Sequence, residues 1–399
     1  MLQISDLIQS LSPSATLAMS QKAGELKAQG IDVISLAVGE PDFNTPDHIK
    51  EAGHKAIDDN FTFYTPVAGY MSLRKAIARK LKRENSLDYA PEQIVVGNGA
   101  KQALCNVILA TLNPGDEVII PTPAWVSYVE MVKLARATTV EVACPLESSF
   151  KITPERLEAA ITPATRMVLL CSPSNPTGAV YTREELQGLV DVLAKYPDII
   201  VLADEIYEHI NFMGSFTSLG SFPEIADRVV IINGVSKAYA MTGWRIGYCA
   251  APMAIAKAVT KLQGQYTSGS SSIAQKAAEA AYDGPQECVA EMCAAFRRRR
   301  DLVVELASAI PGMEINVPQG AFYLFPKVTS LLGRKAPDGS VIATSADLVM
   351  YLLNEAHVAT VDGAAFCLDG YIRLSYATSD ENLREAFARI AAAIDRLTD

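Results

Sequence analysis

The sequence predicts an α/β fold built on a mostly parallel sheet, and three observations carry that prediction. From about residue 94 to 250, apolar β-branched runs alternate with helical patterns. The runs are apolar on both faces, which marks strands covered by helices on either side. The chain has 399 residues and is 49% hydrophobic, ample for a large core and too long for one typical domain.

In chain order the expected strands are "QIVVGN", "EVIIP", "TTVEVAC", "RMVLLCSP", "IIVLADE", "VVIINGVS" and "RIGYCAA". After about residue 284 the pattern changes. A long helix is expected over 289–309, followed by two shorter strands, "AFYLFP" and "YIRLSYA". A closing helix runs through "SDENLREAFARIAAAIDRL", with Ser379 placed to cap it and acids in its first turn. The expected division is an N-terminal segment (1–45) packing with the small domain, a large domain (46–284), and a small C-terminal domain (285–399).

Composition narrows the function. The net charge is −10, which argues against nucleic acid or an anionic membrane as partner. The one basic run, "FRRRR" (296–300), reads as a solvated helix face. Seven scattered cysteines without CxxC spacing fit free thiols in a reducing cytoplasm. Four histidines without HExxH give no metal site. No apolar run reaches the length of a membrane span, and the N-terminal segment has no basic secretory region.

In open α/β sheets ligands bind at the carboxyl ends of strands. After "QIVVGN", Gly99 and Ala100 open a helix whose free N–H groups form either an anion site or an ordinary turn. After "RMVLLCSP", Asn175–Pro176 is a tight turn, open to the cis form. "IIVLADEIYEHI" brings Asp204 to a strand end, as a helix cap or as the partner of a cation, with Tyr207 three residues on. "VVIINGVS" then delivers Ser236 and Lys237, and Arg245 follows.

These elements together describe one chemistry. A desolvated lysine near other cations loses its proton readily and attacks carbonyls. Pyridoxal phosphate needs such a lysine, a phosphate cup and an acid for its ring nitrogen. Lys237 suits the first role. Gly99, Ala100, Ser236 and Arg245 suit the second, and Asp204 the third.

With those residues in view, the chain resembles a fold-type I, class I aminotransferase of the bacterial aspartate aminotransferase branch. The matching runs are "AVGEPDFNTP", "GAKQAL", "PAWVSYVEMV", "SPSNPTGAVY", "DEIYEH", "SKAYAMTGWRIGY" and "IRLSYATS", in order along nearly the whole chain. The resemblance implies a large domain with a mostly parallel seven-stranded sheet flanked by helices, plus a smaller α/β domain. It implies a homodimer acting on small amino and 2-oxo acids, with aspartate and 2-oxoglutarate as the preferred pair. Aromatic or broad-specificity transamination, or β-elimination on the same fold, is the alternative. A regulator with this fold would carry a DNA-binding module upstream, for which the position of Gly39 leaves no room.

The resemblance also assigns residues. Lys237 matches the lysine that holds the cofactor and moves the proton, and Asp204 the partner of the ring nitrogen. Tyr207 and Asn175 match the pair on the cofactor's phenolic oxygen. Trp125 matches the aromatic stacked on the ring; by itself it reads as a core tryptophan. Tyr64 matches the tyrosine that reaches a neighbouring subunit's phosphate. Gly39 matches the glycine lining the substrate site, and Arg373 the holder of the α-carboxylate, though alone it reads as a strand-edge charge. Lys101, near the phosphate cup, is the candidate for a distal carboxylate or else an exposed lysine, with Ser14 and Thr16 as hydroxyl contacts on a closing segment. Two positions depart from the family pattern. Ala100 stands where close relatives have glycine, and Ser12 where prephenate users carry a basic residue, which weakens a prephenate reading.

Overall fold

The computed structural model describes residues 3–399, so the first two residues of the expected N-terminal segment lie outside the described residues. Its largest sheet contains β1 (Ile94–Asn98), β2 (Glu117–Thr122), β3 (Thr138–Ala143), β4 (Thr165–Cys171), β5 (Ile200–Asp204), β6 (Val229–Gly234) and β7 (Ile246–Ala250). Their spatial order is β1-β7-β6-β5-β4-β2-β3. Each expected strand of this region is present. β2 to β6 pair in parallel. β7 is antiparallel to both neighbours, so β1 points the same way as the parallel set. The carboxyl ends of β1, β4, β5 and β6 therefore share one rim.

Burial follows the sequence pattern. Every residue of β6 and β7 is buried. The edge strand β3, with Thr138, Thr139 and Glu141, stays partly exposed, which discourages further strand addition.

A second apolar core joins Met19, Ile34, Leu36 and Ala37 to Phe296, Phe322, Leu374 and Phe387. Ile34–Ser35 pairs in parallel with Val358–Ala359. The Leu36 carbonyl accepts from the Ser375 N–H at 2.7 Å. This packing supports grouping the N-terminal segment with residues 285–399, a domain division we retain as a proposal. Here a three-stranded antiparallel sheet holds β8 (Tyr323–Leu324), β9 (Val361–Asp362) and β10 (Ile372–Ser375), in the order β9-β10-β8. β8 is shorter than the "AFYLFP" run. Pro326 brings no N–H to the ladder, and Ala321 bends the entry at φ 54°.

The long helix runs Glu287–Ser308, close to expectation. The closing helix spans Asp380–Ile394, and the Ser379 hydroxyl caps it by accepting from the Asn382 N–H at 3.2 Å. The arginine run corrects the reading of a solvated face. Arg297 and Arg298 are exposed, but Arg299 is buried and forks onto Asp42 at 2.7 and 2.8 Å. Arg300, half-buried, donates to the Pro318 carbonyl at 2.6 Å. At 3.6 residues per turn, four consecutive residues sweep the whole helix circumference, so one must face inward.

Candidate active site

A cleft of about 450 Å³ opens at the shared rim of strand ends. After β1 the chain turns at Gly99 into α1 (Ala100–Thr111). Gly99 has φ +80°, and a Cβ there would lie 2.3 Å from a guanidinium nitrogen of Arg245. Only glycine allows both the turn and the approach of that cation. Arg245 donates to the carbonyls of Thr242 (2.8 Å) and Asn98 (3.1 Å). The buried Ser236 faces the same cleft.

Lys237 is half-buried, and its Nζ donates to the Gly39 carbonyl at 2.6 Å. Burial pushes its ammonium down to about 8. Glu40 opposes the shift, while Arg245 and Arg373 reinforce it. Asp204, at the end of β5, accepts from the Tyr128 hydroxyl at 2.5 Å and the Ile206 N–H at 3.3 Å. Burial pushes its carboxyl up to about 6, against the pull of those donors and of Lys237.

Arg373, on β10, is buried. It donates to Asn175 Oδ1 at 3.0 Å and to the Ala37 carbonyl at 2.6 Å, and its Nε has no partner. The Asn175–Pro176 bond is cis. The Tyr207 hydroxyl lies 2.8 Å from that of Tyr323. Lys101, in the first turn of α1, sits 5.0 Å from the centroid of the Trp125 ring. Burial, then Arg245, holds its ammonium below the usual lysine range. Thr16 Oγ1 is buried without a partner.

The structure thus brings Ser14, Thr16, Gly39, Ala100, Lys101, Trp125, Asn175, Asp204, Tyr207, Ser236, Lys237, Arg245 and Arg373 to one cleft. Gly99 shapes it from behind. Tyr64 is fully exposed and does not line it. Sequence reasoning missed Tyr128 and Tyr323. Tyr128 lay inside a quoted run, three residues after Trp125, and Tyr323 inside the "AFYLFP" strand. Neither had a local signal that set it apart from a core aromatic.

Among the described residues, Lys101, Arg245 and Arg373 face the cleft with no carboxylate paired to any of them. Such cations call for anions. The N–H groups of α1, Ser236 and Arg245 form a donor set fit for a phosphate, and Arg373 one fit for a carboxylate. The amine of Lys237 lies within electrostatic reach of both arginines. This donor set fits pyridoxal phosphate together with an amino acid.

Comparison with known proteins points the same way. The family model for aminotransferase class I and II matches residues 31–390. A probable aspartate/prephenate aminotransferase of Rhizobium leguminosarum bv. phaseoli is 53% identical over 390 residues, covering 97% of each chain. An aspartate/prephenate aminotransferase of Cereibacter sphaeroides is 51% identical, covering 98% of each. The crystal structure of the Rhizobium meliloti aspartate aminotransferase superposes with a TM-score of 0.96 at 47% identity over the full length of both chains. The Thermus thermophilus aspartate aminotransferase with maleate gives 0.92 at 42% identity, over 98% of this chain and 100% of that one.

Proposed function

The chain belongs to the class I and II aminotransferases, which work with pyridoxal 5′-phosphate, and on that footing we propose that it moves the amino group of L-aspartate to 2-oxoglutarate, yielding oxaloacetate and L-glutamate. The observation that carries the proposal is the pair of cations without a carboxylate partner, the buried Arg373 and the exposed Lys101, both lining the cleft. Two cations suit a substrate with two carboxylates. The Thermus thermophilus structure was solved with maleate, itself a dicarboxylate.

When bound, pyridoxal phosphate supplies an aldehyde for the substrate amine and a ring that takes up the electrons released at Cα. The α1 N–H groups, Ser236 and Arg245 would hold its phosphate, and Trp125 would stack on its ring. Asp204 would keep a proton at the ring nitrogen, and Tyr207 with Asn175 would hydrogen-bond the phenolic oxygen. Arg373 grips the α-carboxylate, while the backbone at Gly39 lines the same site. Lys237 Nζ, poised near neutrality, would take the proton from Cα as base and give it up as acid to the carbon that carried the cofactor's aldehyde oxygen. Lys101, with Ser14 and Thr16, meets the distal carboxylate.

The protein acts as a homodimer in this reading. Tyr64 and its neighbour Phe63 are 100% and 79% exposed, a costly arrangement for a lone chain and a useful one if Tyr64 serves the phosphate of a second copy. Sedimentation equilibrium that finds a monomer at micromolar concentration would refute it. We place the protein in the cytoplasm, which suits seven unpaired cysteines. Cell fractionation that finds it outside would refute that.

Prephenate is the second acceptor to assay, because relatives at 53% and 51% identity carry it in their names. The uncharged Ser12 offers no cation to its second carboxylate. The deciding experiment is kcat/KM for aspartate, glutamate, phenylalanine and alanine as donors, with 2-oxoglutarate and prephenate as acceptors. A preference for phenylalanine over aspartate would overturn the aspartate assignment.

A further inference from the structure

We infer that Tyr323 is a positioning residue for the proposed reaction: its hydroxyl sets Tyr207 and its ring braces Arg373, so one side chain aligns both halves of the cleft. The inference rests on the roles proposed above for Tyr207 and Arg373.

Strand pairing puts the three residues together. In the β8–β10 ladder Tyr323 stands opposite Ser375. Side chains alternate along a strand, so Arg373, two residues from Ser375, shares a face with Tyr323 as its diagonal neighbour. The Arg373 guanidinium carbon lies 4.6 Å from the Tyr323 ring centroid and 4.8 Å from that of Phe366. Aromatic faces attract a cation without accepting a forked pair of hydrogen bonds. An acidic neighbour would stabilise the charge too, but would compete for the N–H groups a substrate carboxylate needs. Rings thus keep a buried arginine charged and available.

The hydroxyl end does separate work. It lies 2.8 Å from the Tyr207 hydroxyl, and both tyrosines are buried. The rings meet edge to face, with centroids 5.9 Å apart at 83°. Burial holds the Tyr323 phenol above its usual range, so it remains an O–H group at neutral pH. The same oxygen packs against Gly39, where a Cβ would lie only 2.3 Å from it. It therefore also fixes the strip of backbone whose carbonyls, at Ala37 and Gly39, accept from Arg373 and Lys237.

Two variants of the holoenzyme separate hydroxyl from ring, with Tyr207→Phe as control. Tyr323→Phe keeps the ring. It should lower kcat about tenfold, the scale of one buried hydrogen bond, and shift the pH midpoint of the bound cofactor's visible absorbance, as Tyr207→Phe should. Its KM for aspartate and alanine should stay within about twofold, since the brace on Arg373 is intact. Tyr323→Leu removes the ring and should raise KM for both donors about tenfold, because both present an α-carboxylate. Tyr323→Met, which fills volume without a π face, replaces it if Tyr323→Leu does not fold. A wild-type midpoint in Tyr323→Phe, where Tyr207→Phe shifts it, overturns this inference alone. A wild-type midpoint in both overturns the role of Tyr207 as well. Unchanged KM in the ring-deleted variant overturns the brace.

Discussion

Lys80 and Lys237 are both drawn away from water, and their surroundings differ in kind. Lys80 is fully buried. It donates to Glu208 and to Asn85 Oδ1 (2.9 Å), and lies 3.5 Å from Glu84. Glu208 also accepts from Asn85 and Asn233, each at 2.7 Å. Burial pushes the Glu208 carboxyl up, but Lys80, His209 and Asn85 together draw it below its usual range. Glu84, also opposed by burial, is drawn down to about 2 by His209, Lys80 and Arg83. Glu84, Glu208 and His209 cluster as metal ligands would, and the Lys80 ammonium supplies the positive charge among them. Lys237 donates only to a backbone carbonyl, and burial pushes it down to about 8 although Glu40 and Asp204 oppose the shift. A charge answered by ionic and amide partners holds structure. An uncompensated one changes state easily, and that makes it useful to chemistry.

The largest expected effect tests the second half of that contrast. Lys237→Ala should cost about 10⁴-fold in kcat or more, since it removes the base, while urea unfolding of the cofactor-free protein stays unchanged or improves. The mirror variant, Lys80→Ala, strands Glu208 and should cost about 3–5 kcal/mol of stability, with activity per folded molecule nearly kept. If Lys80→Ala silenced the enzyme without destabilising it, the contrast would break.

Lys101 sharpens the comparison, because it too has no carboxylate partner, yet part of it is exposed. Lys101→Ala should lower kcat/KM for aspartate and glutamate about 10- to 100-fold and spare alanine and phenylalanine. Equal losses for all four donors would make it a support for fold or cofactor. The smallest effect concerns Asp204. Around its carboxyl stand the Tyr128 hydroxyl, the Cys171 thiol, the Ile206 N–H and Lys237. Burial raises this carboxyl to about 6, so activity that needs it ionised fades as pH falls through that region. Tyr128→Phe removes a donor that opposes burial, so the carboxyl rises further and the acid limb of the kcat profile moves to higher pH. An unmoved limb would take Tyr128 out of the control of Asp204.

Asp204 also shows how far the sequence reaches. Its place at the end of an apolar run marked it as either a helix cap or a group awaiting a cation, and the run is strand β5. The same reasoning reached Gly99, Ser236 and Lys237, because strand period and strand end are written in neighbouring residues. It did not reach the hydrogen bond from Tyr128, which comes from a helix 76 residues earlier in the chain. Nor did it separate the buried Arg299 from the exposed Arg298 beside it.

What the sequence determined by itself was the parallel sheet, the rim of functional groups and, through ordered motifs, the family. What only the tertiary structure decided was which charges are answered. Lys80 lies in a charged helical run that gives no sign of its burial, and Arg373 alone passes for an edge charge. Compensation depends on groups brought from distant segments by packing and strand register: Glu208 for Lys80, a bare carbonyl for Lys237, and the rings of Tyr323 and Phe366 for Arg373. Those contacts are long-range, and no local period encodes them.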